Sequence, residues 1–219
     1  MNEPMSKHTS YGIGGSVDAF ITPSDKFDLK NILQYTSTNN IPVYFVGSGS
    51  NLLVADEGID GVVITLAKSF KNLYITGCSV YAETGVMLGH LVKKCMGLNL
   101  TGLETMIGVP GTLGGALVMN AGAFGNEISN CLELVEVMTL AGTIKNINRV
   151  KLISNIDIRP SRKMKLFSVL LSPLKKRLKK KFWQNDLLQA RDEKTHNPCD
   201  FVQQGVFLKI LMIIAQQDS

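Results

Sequence analysis

A chain of 219 residues that is 45% hydrophobic and 19% charged has enough aliphatic content for a real core, in one large domain or two small ones. No apolar run is long enough to cross a membrane as a helix. The opening MNEPMSKHTS has no apolar segment, so neither a membrane anchor nor a secretion signal is expected and the chain is read as cytoplasmic. The net charge of +5 hides a split: residues 1–148 carry 8 Lys/Arg against 12 Asp/Glu, residues 149–219 carry 15 against 6, and 19 of the 20 glycines precede residue 149. Cys78, Cys95, Cys131 and Cys199 show no metal spacing with the histidines. They are read as reduced, half-buried core thiols, and no metal is expected.

Residues 11–23 (YGIGGSVDAFITP) open with a glycine turn and then alternate as a strand. Ser24 is a plausible N-cap for a helix over residues 25–38, with Phe27, Leu29, Ile32 and Leu33 as its apolar face and Asn39-Asn40 as its end. Residues 41–46 (IPVYFV) read as a buried strand, so the first unit is strand, helix, strand with a parallel pairing. Gly47-Ser48-Gly49-Ser50-Asn51 follows directly. A Rossmann unit needs a third glycine and a helix here; Asp56-Glu57-Gly58 and Asp60-Gly61 break the chain instead, and residues 62–66 are another strand. The remaining readings are a phosphate loop of a different fold or an ordinary turn.

Residues 73–75 and 80–83 are short strands. Residues 85–96 form an amphipathic helix with Leu88, Leu91, Val92 and Cys95 on one face and His90 exposed. Residues 102–125 (GLETMIGVPGTLGGALVMNAGAFG) hold no Lys, Arg or Asp and are too apolar for a flexible linker. They read as buried backbone whose free amides point at phosphate or carbonyl oxygens, or as a glycine-rich turn region inside a sandwich. Residues 135–138 and 143–147 form a hairpin around Ala141-Gly142.

With both glycine segments in view, YGIGG, GSGSNLLVADEGIDGVVI and GLETMIGVPGTLGGALVMNAGAFGNEI resemble the UDP-N-acetylenolpyruvoylglucosamine reductases (MurB), over about residues 6 to 148. The resemblance implies an α+β, two-subdomain FAD-binding fold of the vanillyl-alcohol oxidase/p-cresol methylhydroxylase (PCMH) type. Its subdomains would be residues 1–66 and 67–175, with a degenerate tail at 176–219 in place of a substrate-binding domain. It implies that Gly47, Ser48, Gly49, Ser50 and Asn51 wrap the FAD pyrophosphate. Pro110, Gly111, Thr112, Gly114, Gly115 and Ala116 would lie along the cofactor, and Asn120, Ala121, Gly122 and Ala123 would continue towards the isoalloxazine. It further implies NADPH as hydride donor, a small UDP-sugar enolpyruvate as substrate in peptidoglycan synthesis, and a monomer with no nucleic-acid or membrane partner. The alternatives are a non-catalytic FAD-binding protein, or another oxidase or dehydrogenase of the same flavin fold.

The family's catalytic motifs, a YRxS arginine and an SAGSVFKNP serine, are not found where expected. Arg159-Pro160-Ser161 supplies R-x-S, displaced by two residues and with Ile158 in place of tyrosine, so Arg159 is the one candidate for the catalytic arginine. A slipped reading frame restores both motifs. One permitted codon choice for Ser154-Asn155-Ile156-Asp157 reads Glu-Tyr-Arg from its third base, and the same offset over residues 202–211 reads Ser-Ala-Gly-Ser-Val-Phe-Lys-Asn-Pro. The lysine run of residues 174–183 is read as an out-of-frame or solvated stretch rather than a nucleic-acid or membrane patch. Residues 208–215 read as an exposed apolar end and an aggregation hazard. The expectation is an inactive fragment with weakened FAD binding.

Overall fold

The computed structural model describes residues 1–148, 164–171 and 175–176, all within a compact unit spanning Met1–Lys176. Arg159, the displaced R-x-S, the lysine run apart from Lys175–Lys176, the segment 202–211, Cys199 and the apolar end lie outside the described residues.

The first layer is a four-stranded sheet. It uses β1 (Glu3–Pro4), β2 (Ser16–Ile21), β3 (Val43–Val46) and β4 (Ile59–Thr65) in the order β1-β2-β4-β3, with β2, β4 and β3 parallel and β1 antiparallel. The strand-helix-strand unit is therefore a parallel crossover, but β4 is inserted between its two strands. Asp60-Gly61 does not break the chain. It lies inside β4, where the register slips by one residue against β2 (Val17↔Ile59, then Ala19↔Val62). Gly61 takes φ +111, its amide donates to Asp18 Oδ2 at 2.7 Å, and a Cβ there would lie 2.5 Å from the Pro42 carbonyl oxygen. This is a bulge that only glycine fits.

Helix α1 (Lys26–Thr38) covers one face of this sheet. Its cap is Asp25, whose side chain accepts from the Phe27 and Asp28 amides at 2.8 Å; Ser24 instead donates to Asp28 Oδ2. The buried stripe is Leu29, Leu33 and Thr36, with Ile32 packed beside it, at i, i+3, i+4, i+7 spacing. Phe27 sits about 200° round the helix from Leu29 and is 71% exposed, contrary to its place on the expected apolar face. The stripe meets Ile64, Leu66 and Phe70, and reaches Met138 in the second layer. Asn40, at φ +54, ends the helix in the left-handed conformation. On the sheet's other face Met5, Val17, Val54 and Val63 form a smaller core that ties down the N-terminal arm.

The second layer is antiparallel: β5 (Leu73–Thr76), β6 (Ser79–Glu83), β10 (Leu132–Thr139), β11 (Ile144–Asn148) and β12 (Met164–Leu171), in the order β11-β10-β12-β6-β5. Helix α2 (Leu88–Gly97) packs on it through Leu88, Leu91, Val92 and Cys95, the residues expected from the periodicity. It starts three residues later than its pattern suggests because residues 84–86 turn and Met87 bridges to Thr112 in the second glycine block. Strand β12, between β10 and β6, was not expected from the sequence. Its signal is the continuous run MKLFSVLL, beyond the compositional break. Three small elements, β7 (Leu100–Thr101), β8 (Gly122–Ala123) and β9 (Asn126–Glu127), and helix α3 (Leu113–Val118) shape the glycine-rich segment; β13 (Lys175–Lys176) pairs with β7.

Candidate functional site

The first glycine loop leaves the carboxyl end of β3, the usual position for ligands on parallel strands. Gly49 takes φ +70 and packs so tightly on the N-terminal arm that a Cβ would lie 1.8 Å from the His8 carbonyl oxygen; its own carbonyl accepts from the Ser10 amide at 3.0 Å. Among the described residues the amides of Ser48, Gly49 and Ser50 meet no acceptor. Three donors on a turning backbone with nothing to bind form an anion-receiving nest. Asn51 closes the loop, half-buried.

The second glycine segment is held by the turn before α2 and by Leu88. Leu88 donates to the Gly111 carbonyl at 2.9 Å, Leu113 to Val86 at 2.8 Å and Gly114 to Thr84 at 2.9 Å. Thr112 caps α3, its Oγ1 accepting from the Gly115 amide at 3.3 Å. Gly114 has a packing role: a Cβ there would come within 2.7 Å of Thr84 Cβ. Ala116 is buried in the core around α2. After α3, Asn120 turns the chain at φ +45, and β8 and β9 are joined by Phe124-Gly125, both with positive φ, as a two-residue primed turn requires. Gly122 and Ala123 form β8 itself. Asn120 Nδ2 donates to Glu127 Oε2 at 2.7 Å, while its Oδ1 is buried and unpartnered among the described residues.

These two stretches, far apart in sequence, meet. A Cβ on Gly47 would lie 2.5 Å from Thr112 Oγ1, and one on Gly111 would lie 3.1 Å from Ser50 Oγ and 3.8 Å from Ser48 Oγ. Ser50 Oγ donates to the Pro110 carbonyl at 3.5 Å. The two stretches adjoin, with unbonded amides in one and glycine and proline backbone in the other. That set fits a thin, phosphate-bearing, planar cofactor, because side-chain-free backbone permits close approach and free amides complement phosphate. Under this segment Glu104 accepts from Thr101 Oγ1 and, at 2.5 Å, from the Gly102 amide, and Cys131 Sγ donates to the Gly102 carbonyl at 3.0 Å. Burial, reinforced by Cys131 and Glu104, pushes the Cys95 thiol up to about 11, so it is an inert core group rather than a nucleophile. Among the described residues no cluster of His, Cys, Asp and Glu is arranged to hold a metal, and no helix is long and apolar enough to cross a membrane.

Residues 17–148 match the family model described as FAD binding domain. The chain belongs to this FAD-binding domain family. The domain is MurB-like: it is 40% identical over 159 residues to the UDP-N-acetylenolpyruvoylglucosamine reductase of Caldanaerobacter subterraneus, a match covering 73% of this chain and 50% of that protein. The chain thus spans about half the length of the curated relatives it matches. Among solved structures it is similar to MurB from Thermus caldophilus, with a TM-score of 0.71, 28% identity, and coverage of 89% of this chain and 69% of that one. Cholesterol oxidase from Brevibacterium sterolicum shares the fold alone, with a TM-score of 0.55, 13% identity, and coverage of 70% of this chain and 33% of that one. An α+β FAD-binding fold of the PCMH type and an FAD cofactor are thereby established for the matched segment. Of the residues expected at the site, Gly47, Ser48 and Ser50 meet Pro110, Gly111 and Thr112, Gly49 packs on His8, Gly114 on Thr84, and Ala116 lies in the core.

Proposed function

We propose that this chain is the FAD-binding part of a flavin oxidoreductase of the UDP-N-acetylenolpyruvoylglucosamine reductase type, with subdomains meeting near residue 66. Its relatives by name act on a UDP-sugar enolpyruvate, and the proposal carries that substrate, NADPH as donor, a cytoplasmic location and a role in peptidoglycan synthesis to the whole protein. The approach of Gly47 to Thr112 carries the reading, since it joins the two glycine segments into one cleft. When bound, the flavin supplies hydride acceptance from the nicotinamide and hydride donation to the substrate. The chain's own residues bind and orient it. The amides of Ser48, Gly49 and Ser50 receive the diphosphate, Pro110, Gly111 and Thr112 form the opposite wall, and Asn120 Oδ1 offers an acceptor to a ring N–H.

The displaced R-x-S at Arg159 and the absence of an in-frame serine motif support a chain that binds FAD, more weakly than the full-length relatives, and does not turn over. A non-catalytic FAD-binding protein is the neighbouring reading, favoured by the displaced R-x-S at Arg159. Titration with FAD, followed by flavin fluorescence, and an assay of substrate-dependent NADPH oxidation test the proposal together. Saturable FAD binding without NADPH oxidation is expected. No FAD binding removes the cofactor role, and substrate-dependent NADPH oxidation removes the claim of inactivity.

A further inference from the structure

A cavity of about 300 Å³ adjoins the first glycine loop, lined in part by Lys7, His8, Gly47, Ser48, Thr65 and Lys68. It opens at the carboxyl ends of β3 and β4, since Gly47 directly follows β3 and Thr65 ends β4. Its walls are hydroxyls, glycine backbone and cationic side chains. The His8 ring stacks on Phe20, with centroids 3.8 Å apart, and its Nε2 meets Glu3 Oε1 at 3.0 Å, so the imidazole is a fixed wall. Glu3 lies at 3.7 Å from Lys7, and this single carboxylate serves both groups. Lys68 is exposed and forms no ion pair among the described residues. The two ammonium groups outnumber the one nearby carboxylate, beside a loop whose free amides already favour an anion.

We propose that this cavity is a phosphate subsite in which Lys7 and Lys68 form a cationic rim for the phosphates of the dinucleotide, adding charge to the neutral amides of residues 48–50. The inference rests on the FAD reading. It goes beyond that reading by assigning cofactor affinity to two side chains outside both glycine segments. The cavity is too small for a whole flavin dinucleotide, so it takes a phosphate-bearing part and leaves the ring to the cleft beside Thr112. Compact, solvated ammonium groups act there as point charges, so their contribution is sensitive to salt.

The test compares wild type with Lys7→Ala, Lys68→Ala, the double variant and Lys68→Arg, using FAD and riboflavin, which lacks phosphates. The double variant is expected to bind FAD about tenfold more weakly, with a flatter salt dependence. Its riboflavin binding and melting temperature should stay unchanged, and Lys68→Arg should retain most of the affinity. Inorganic pyrophosphate is expected to compete with FAD for wild type and much less for the double variant. Equal FAD affinity and equal salt dependence in wild type and double variant overturn the subsite while leaving the FAD reading intact. If wild type binds no FAD, the FAD reading fails and pyrophosphate titrated by calorimetry decides the cavity: lysine-dependent binding supports the subsite, and no binding overturns it.

Discussion

The two glycine-rich segments that meet at Gly47 and Thr112 use the same residue for different ends. In the first, glycine leaves amides unbonded and lets the loop press on the N-terminal arm, with little core beneath it. In the second, Gly111, Leu113 and Gly114 are already bonded through their backbone to residues 84–88, and glycine lets α3 sit against Thr84 with Leu113 and Leu117 in the core. One loop is built to receive something and the other to hold a wall still. Glycine content alone does not separate these roles; the direction in which each missing Cβ would point does.

The sharpest way to break this comparison is Gly49→Ala. The new methyl meets the His8 carbonyl at 1.8 Å in a backbone conformation that L side chains disfavour. A loss of about 2–4 kcal/mol in unfolding free energy is expected, read by urea denaturation. Gly114→Ala, facing Thr84 Cβ at 2.7 Å, should cost about 1–3 kcal/mol of stability. Thr84→Ser removes the branch methyl but leaves Cβ in place, so restored stability in the double variant would show that the contact relaxes at the branch, and no restoration that it does not. Gly47→Ala meets only a side-chain hydroxyl, Thr112 Oγ1, so its effect should fall on the cleft. FAD affinity should drop by about tenfold, roughly 1.4 kcal/mol, with a smaller loss of stability. A large melting shift without a binding change would reverse the roles assigned to the two loops. Asp25→Ala, far from both, should cost about 1 kcal/mol through the lost α1 cap and leave FAD affinity unchanged.

Much of the architecture was legible in advance because it depends on local pattern. The face of α2, the hairpin around Gly142 and the parallel character of the first layer follow from periodicity and turn chemistry. Phe27 was misplaced because an apolar residue on an exposed helix face carries no local mark of its exposure. The Asp60-Gly61 pair was misread because a turn dipeptide and a strand bulge use the same residues, and only the partner strand distinguishes them. The start of α2 was misplaced because residues 84–87 follow a long-range partner, with Met87 bridging to Thr112. Strand β12 went unseen because its apolar run lies beyond the compositional break and its place depends on β10 and β6.

By itself, the sequence determined that two side-chain-poor segments exist, that they resemble a flavin-binding family, and that the family's arginine motif is displaced and its serine motif is not in frame. These are properties of residue order, and residue order carries them without any contact. Only the tertiary structure decided that Gly47 faces Thr112, that Gly114 and Ala116 serve packing, and that Lys7 and Lys68 share a cavity beside the loop. Each of those depends on the distance between residues remote in the chain, which folding sets through the burial of β4 and α2 rather than through any local preference.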